Sequence, residues 1–317
     1  MSSLVYQASV GGSLTTAIVE DIAVIVNPAA GGGRSARRWR RARRLLRARG
    51  MSATVLTTDG PGHATSLTRE VIGRGFATIV AVGGDGTVHE VVNGMFHHGK
   101  PVMDARLGIF PAGTGMDFQR NLGLGTGIRT SVEALAGGRE RTMDLGLATG
   151  DTSRVFVNFA EVGLGTSVVL REARFGAAWP GRASFFVAAV EAAISEENIS
   201  AKVTADGDEL WSGSTVSVIV ANGPYFGGGM RIAPPAVVDD GWLDVVVLGD
   251  FSRRERITQI WKLYPGAHLR HRKVLWQRAL ETTVRSQAVS YLDLDGELYA
   301  DRDFNFSILP GALRVLT

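Results

Sequence analysis

The chain has 317 residues, 45% of them hydrophobic and 21% charged, the balance of an ordinary globular protein long enough for two domains with their own cores. It has no cysteine, which excludes disulfides and thiolate metal sites and suits a reducing cytoplasm. No run reaches the roughly 20 apolar residues of a membrane-spanning helix, and MSSLVYQASVGGSL lacks the basic start and apolar stretch of a secretory signal, so a cytoplasmic protein with at most peripheral membrane contact is expected.

In chain order, residues 1–20 carry no strong pattern and are expected to be poorly ordered. IAVIVN (22–27) reads as a buried strand and RSARRWRRARRLLRAR (34–49) as a helix, with Ala36, Trp39, Ala42 and Leu46 at helical spacing. That helix holds nine arginines and no acid. Against a formal charge of +3, this leaves −6 on the remainder, so the basic character is local. The plain reading is a solvated surface helix. The sharper one is a face that docks on anionic lipid, where each cation contributes about 1 kcal/mol. Nucleic acid is not expected, because no binding module or aromatic platform accompanies the arginines.

ATVLTT, TSLTREVIGRG, ATIVAV, TVHEVVNGMF and RLGIF continue the strand and helix alternation, which predicts an α/β domain with a mainly parallel sheet over residues 21–145. Beyond it the texture changes to short alternating runs with Gly and Asp-Gly turns: RVFVNFAEVG, AKVTADGDELWSG, TVSVIVANG, WLDVVVLGD, AVSYLDLDGELYA and DFNFSIL. Residues 146–317 therefore read as an antiparallel β-sandwich domain, interrupted by helices near 182–195 and 253–264, with a last strand able to return to the first domain.

Three glycine turns follow predicted strands: NPAAGGG, GGDGT and AGTG. Gly31, Gly33 and Ala36 fit the dinucleotide pattern GxGxxA, with Asp59 downstream, but Asn27-Pro28-Ala29-Ala30 intervene between strand and first glycine. No GxxxxGK[ST] occurs. In an open parallel sheet ligands bind at the carboxyl ends of strands, so the three turns should converge on one crevice and offer N–H groups to a phosphate. Two of them bring a carboxylate, Asp85 and Asp117. A phosphate site lined with acids makes sense when a cation joins the ligand, and Mg²⁺ on nucleotide phosphates is the usual case.

VNPAAGGG, GGDGTVHEVVNG, PAGTGMDF, MRIAPPAVVDDGWLD and LDGE, in that order over residues 22–317, resemble the diacylglycerol kinase catalytic family of bacterial lipid kinases, to which sphingosine kinases and, more distantly, NAD kinases are related. The resemblance implies an active site in the cleft between the two domains, ATP as phosphoryl donor, Mg²⁺, and a lipid alcohol acceptor reached at the inner face of the membrane, leaving a homodimer open. It implies nucleotide contacts at Asn27, Pro28, Ala29, Ala30, Gly31, Thr58, Gly83, Gly84, Asp85, Gly86, Thr87, Val88, His89, Glu90, Gly113 and Thr114. Asp85 would sit by the phosphate-bound Mg²⁺, with Asp117 a second candidate. Met116 departs from the family, which usually has Asn there.

The Asp-Gly pairs of the second half read alone as hairpin turns. Through the resemblance, Asp240 with the carbonyls of Val237 and Trp242 becomes a structural Mg²⁺ site, and Asp295 and Glu297 become catalytic acids. On a regular strand residues 295 and 297 would share a face, whereas a hairpin turn would break that rule. Asp295 is expected as proton acceptor with Glu297 as partner, the reverse assignment staying open. The six histidines are scattered, and His89 is expected to contribute backbone. Three other readings remain: a soluble-substrate kinase of the NAD-kinase type, a dinucleotide oxidoreductase, and a non-enzymatic module that binds anionic membrane.

Overall fold

The computed structural model describes residues 22–113, 115–150, 153–175 and 181–317; Thr114 and residues 1–20 thus lie outside the described residues. Strands β1 (Ile22–Val26), β2 (Thr54–Thr57), β3 (Thr78–Gly83) and β6 (Arg106–Pro111) run parallel in the order β2-β1-β3-β6, and β4 (Phe96–His97) pairs with β5 (Lys100–Pro101) in a small hairpin. Burial on both faces explains their near-continuous apolar sequence. Ala23, Ile25, Ile79 and Ala81 face one layer, with α2 (His63–Gly73) and α3 (Asp85–Met95). Val24, Val26, Val80 and Val82 face the other, with α1 (Ala30–Arg47) and α5 (Ile128–Gly137).

The buried stripe of α1 is Ser35, Trp39, Ala42 and Leu46. Ser35 replaces the expected Ala36 because its hydroxyl donates to the Asn27 carbonyl. The three glycines that open α1 all adopt left-handed backbone, φ 61°, 66° and 80°, so the regular helix begins at Arg34, as the sequence suggested.

The second half holds β7 (Glu140–Thr149), β8 (Ser153–Phe156), β9 (Phe159–Gly163), β10 (Ile199–Ala205), β11 (Asp208–Thr215), β12 (Ser217–Ala221), β13 (Leu243–Leu248), β14 (Val274–Ala279), β15 (Glu281–Leu294) and β16 (Glu297–Leu316). The ladders within this half are all antiparallel. Helices α4 (Asp117–Asn121), α6 (Leu164–Phe175), α7 (Gly181–Ser195) and α8 (Arg253–Gln259) complete the chain, with 3-10 turns at Ile260–Leu263 and Ala267–Arg270.

β16 joins the halves. It pairs with β15, then along β7, and finally lies parallel to β6 at Arg314 and Val315, so one sheet of 14 strands runs through the molecule. The expected boundary at residue 145 falls inside β7. One buried carboxylate holds this seam. Asp144 Oδ2 accepts from the Gly241 N–H at 2.7 Å and Oδ1 from the Gly311 N–H at 2.6 Å, at the register shift of β16 against β7. Asp144→Ala would leave two partly buried backbone donors without their acceptor and should lower unfolding free energy by roughly 1–3 kcal/mol, read from urea denaturation; an unchanged midpoint would refute this role for Asp144.

Candidate functional site

Glycine sets how closely the three turns approach. A Cβ on Gly31 would stand 2.0 Å from the Ala112 carbonyl oxygen, and one on Gly113 would stand 2.5 Å from Gly84 Cα, so the turns pack backbone against backbone. Asn27 ties them further, its amide donating to Thr87 Oγ1 at 3.1 Å and its Oδ1 accepting from the Ala29 N–H. Beside them opens a cleft of about 550 Å³. Of the expected nucleotide residues, Asn27, Pro28, Ala29, Ala30, Gly31, Thr58, Gly84, Asp85, Gly86, Thr87, Glu90 and Gly113 line it, together with Asp117, Asp295 and Glu297. Gly83, Val88 and His89 do not line it: Gly83 ends a buried strand, Val88 packs in the core, and His89 turns inward. The first turn of α3, whose N–H groups have no intrahelical acceptor, lines the cleft.

The acids divide by what already binds them. Asp85 accepts from the Phe118 N–H at 2.9 Å and the Asp117 N–H at 3.2 Å, capping α4, and burial raises its carboxyl above the ordinary range. Asp117 accepts from Arg120 and from the Gly228 N–H at 2.7 Å, so its carboxylate is engaged in joining the two halves. Asp295 is more fully committed. It accepts from the N–H groups of Val157 (2.7 Å), Asn158 (2.9 Å) and Phe159 (3.1 Å) and from His89 Nδ1 (2.9 Å). Asn93 Nδ2 donates to the carbonyls of His89 and Val155 and faces His89 Nε2 at 3.2 Å, while its Oδ1 accepts from the Val155 N–H; an amide nitrogen cannot accept, so Nδ1 is the imidazole donor. His89 thus meets Asp295 through its side chain, whereas a backbone contribution was expected.

Asp295 (φ 53°) and Gly296 (φ 97°) form a two-residue turn between β15 and β16, with Leu294 opposite Glu297. Residues 295 and 297 therefore do not share a strand face. The Glu297 carboxyl has no hydrogen-bond partner among the described residues, and its Oε1 lies over the first turn of α3, 3.9 Å from where a Cβ on Gly86 would stand. Burial raises its carboxyl, and the Glu90 carboxylate adds to this against the opposing effect of His89.

Sequence reasoning missed Glu161 and Asp293. They stand opposite each other on β9 and β15, both buried, both lining the cleft. Burial raises both, and the Glu161 carboxylate pushes Asp293 further, well above the ordinary range. Alternation with Asp295 was the available signal for Asp293; Glu161 sits in a strand pattern with no signal at all. In total eight carboxylic acids and no lysine, arginine or histidine are found among the described residues lining the cleft.

Val237, Asp240 and Trp242 lie outside the cleft lining. Asp240 Oδ2 pairs with Arg278 at 3.1 Å and Oδ1 accepts from the Trp242 N–H at 3.2 Å. Arg278 is thus the counter-ion of the carboxylate for which a structural cation is expected. Met116, which precedes α4, has left-handed backbone at φ 54°, a conformation that asparagine tolerates at lower cost.

The chain matches the diacylglycerol kinase catalytic domain over residues 21–148 and the YegS C-terminal NAD kinase beta sandwich-like domain over residues 160–317. A probable lipid kinase YegS-like protein of Pseudomonas aeruginosa (strain UCBPP-PA14) is 32% identical over 268 residues, 84% of this chain and 85% of that one. The chain belongs to the diacylglycerol kinase catalytic-domain family. A diacylglycerol kinase of Staphylococcus carnosus (strain TM300) is 26% identical to this family member over the same shares. The solved structure of a putative diacylglycerol kinase from Bacillus anthracis str. Sterne superposes with a TM-score of 0.74 at 25% identity, covering 94% of this chain and 96% of that chain. Yeast NADH kinase, at 11% identity and a TM-score of 0.51, shares the fold. The family is one of kinases, for which ATP is the phosphoryl donor.

Two outcomes follow for this kinase. Because burial raises Asp293, the folded protein retains a proton that the unfolded chain releases; the resulting stability is complete below the ordinary carboxylate range and is lost as pH rises through the raised value. Asp293→Asn should therefore gain stability over wild type progressively as pH rises above the ordinary carboxylate range, and a urea-midpoint difference independent of pH would reject this. Met116→Asn should relieve roughly 1 kcal/mol of backbone strain, visible as a raised melting temperature.

Proposed function

We propose that this family member transfers the γ-phosphoryl group of Mg²⁺-ATP to the hydroxyl of a lipid alcohol, diacylglycerol or a close relative. The observation that carries the reading is the neighbour of the cleft. An almost wholly apolar cavity of about 100 Å³ shares Glu161, Gly165, Phe185 and Phe226 with the cleft lining, and is otherwise walled by side chains such as Val168, Ile219, Met230, Ile232 and Ile260. A polyphosphate site adjoining an apolar chamber suits an acceptor with a reactive hydroxyl on a hydrocarbon chain. A soluble dinucleotide acceptor would leave the chamber unused.

The glycine turns offer N–H groups to the phosphates. With eight acids and no cation on the lining, a triphosphate needs a divalent ion, and among the described residues no cluster of three side chains could hold one by itself. This fits Mg²⁺ held by Asp85, phosphate oxygens and water; when bound, it neutralises charge on the transferring group. Asp295 and His89 are positioning residues in this reading, since all four donors around the Asp295 carboxylate are backbone or imidazole groups of the scaffold.

We assign the proton acceptor to Glu297, whose carboxyl is raised and has no partner among the described residues. This reverses the order expected from sequence, because a carboxylate enclosed by four donors is a poor base. The test is transfer of label from ATP to detergent-dispersed diacylglycerol, with NAD as competing acceptor. Glu297→Gln should lose about 10²–10⁴-fold in kcat while ATP binding survives. Label on NAD alone, or wild-type turnover in Glu297→Gln, would defeat the assignment.

A further inference from the structure

We infer that the outer face of α7, α8 and the turn Ile260–Leu263 is the surface by which this protein docks on an anionic phospholipid bilayer. The inference rests on the lipid-acceptor reading above for its purpose, and its test requires no turnover. Among the described residues twelve large apolar side chains are exposed, and six of them belong to α6, α7, α8 and the segment that follows α8: Leu170, Val187, Ile194, Ile257, Trp261 and Tyr264. Trp261 is 62% exposed, more than any other of the twelve. Ile257, Trp261 and Tyr264 recur at four and three residues, so they share one side of a helical segment. The Trp261 ring also lies 4.7 Å from that of Phe186, which couples the segment to α7.

Cations frame this apolar face. Arg253, Arg254, Lys262, Arg270 and Arg272 are exposed, and Arg253 stands one turn before Ile257. The acids nearby are largely matched: Glu255 is held by Lys273 at 2.8 Å, Glu191 and Glu196 both pair with Arg171, and Glu197 faces Arg253 at 4.0 Å. An indole among aliphatic side chains, ringed by arginine and lysine, matches the acyl and phosphate layers of an anionic membrane surface. The inner side of the same segment, through Gln259, Ile260 and Leu263, lines the apolar cavity. Docking there would set the cavity directly beneath the bilayer.

The arginine helix α1 lacks this combination. Its cations are exposed, but its only large ring, Trp39, is buried, and it shows no exposed large apolar side chain. Binding to membranes scales with apolar area inserted as well as with charge, and α1 offers charge alone.

The test is cosedimentation without nucleotide, using phosphatidylcholine vesicles with and without phosphatidylglycerol. Wild type should prefer the anionic vesicles. Ile257→Ser with Trp261→Ser, and separately Arg253→Gln with Arg254→Gln, should each reduce partitioning at least tenfold at an unchanged melting temperature, whereas Arg37→Gln, Arg40→Gln and Arg44→Gln together should reduce it less than threefold. Wild-type partitioning in the Ile257 and Trp261 variant, loss in the α1 variant, or failure of wild type to bind vesicles would overturn the inference, the last leaving the face to a protein partner. If vesicles are bound as described while no lipid is phosphorylated in detergent, the kinase reading fails and the docking surface stands.

Discussion

Four donors converge on the carboxylate of Asp295, and the cleft is arranged around that contact. Three are consecutive backbone N–H groups, Val157 to Phe159, from the crossing between β8 and β9; the fourth is His89 on α3. One side chain in a hairpin turn therefore fixes the first half of the molecule, the second half and the turn itself in a single buried group. Each of those N–H groups would cost about 1–3 kcal/mol if left without an acceptor, so the carboxylate cannot leave its place without loosening all of them. Glu297, two residues on, inherits its position over α3 from this anchor.

The same device recurs. Asp144 takes the N–H groups of Gly241 and Gly311, Asp117 that of Gly228, and Asp85 those of Asp117 and Phe118. Glycine-rich loops bring backbone donors into places where no strand can match them, and a short carboxylate is the smallest side chain that accepts two at once. A cleft rich in acids is partly a consequence of being built from glycine turns. Among these acids the Glu297 side chain is the one that the scaffold leaves without a hydrogen bond among the described residues.

Much of this was legible in the residues. IAVIVN and ATIVAV are apolar on both faces and became central parallel strands; the glycine turns converged because parallel strands end on one side of a sheet. What was not legible depended on distant partners. His89 meets Asp295 across 206 positions, and no local pattern announces that. The Asp-Gly pairs show why chemistry could not be read from the turn itself. Asp206-Gly207 has the same left-handed pair as Asp295-Gly296, φ 51° and 90°, and its carboxylate also captures two backbone N–H groups, those of Leu280 and Glu281. What sets Asp295 apart is where its turn lands. The unity of the sheet was hidden too, because Pro310-Gly311 interrupts DFNFSILPGALRVL and the strand continues past it only by shifting register against β7.

Glu161 and Asp293 bring the polar and apolar chambers together. Glu161 lines both, and its Oε1 accepts from Ser217 at 2.7 Å and from the Gly165 N–H at 2.9 Å, both donors being on the wall of the apolar cavity. Opposite it, Asp293 is driven toward its neutral form, first by burial and then by the Glu161 carboxylate. Two like charges this deeply buried cannot both persist without a large cost, so the pair retains a proton. The neck between the chambers consequently carries less negative charge than its composition suggests. That matters on the cleft side, where Asp293 stands: an anionic ligand there meets weaker repulsion than two full charges would exert. Glu161 can line the apolar cavity because its carboxyl is met there by the Ser217 hydroxyl and the Gly165 N–H.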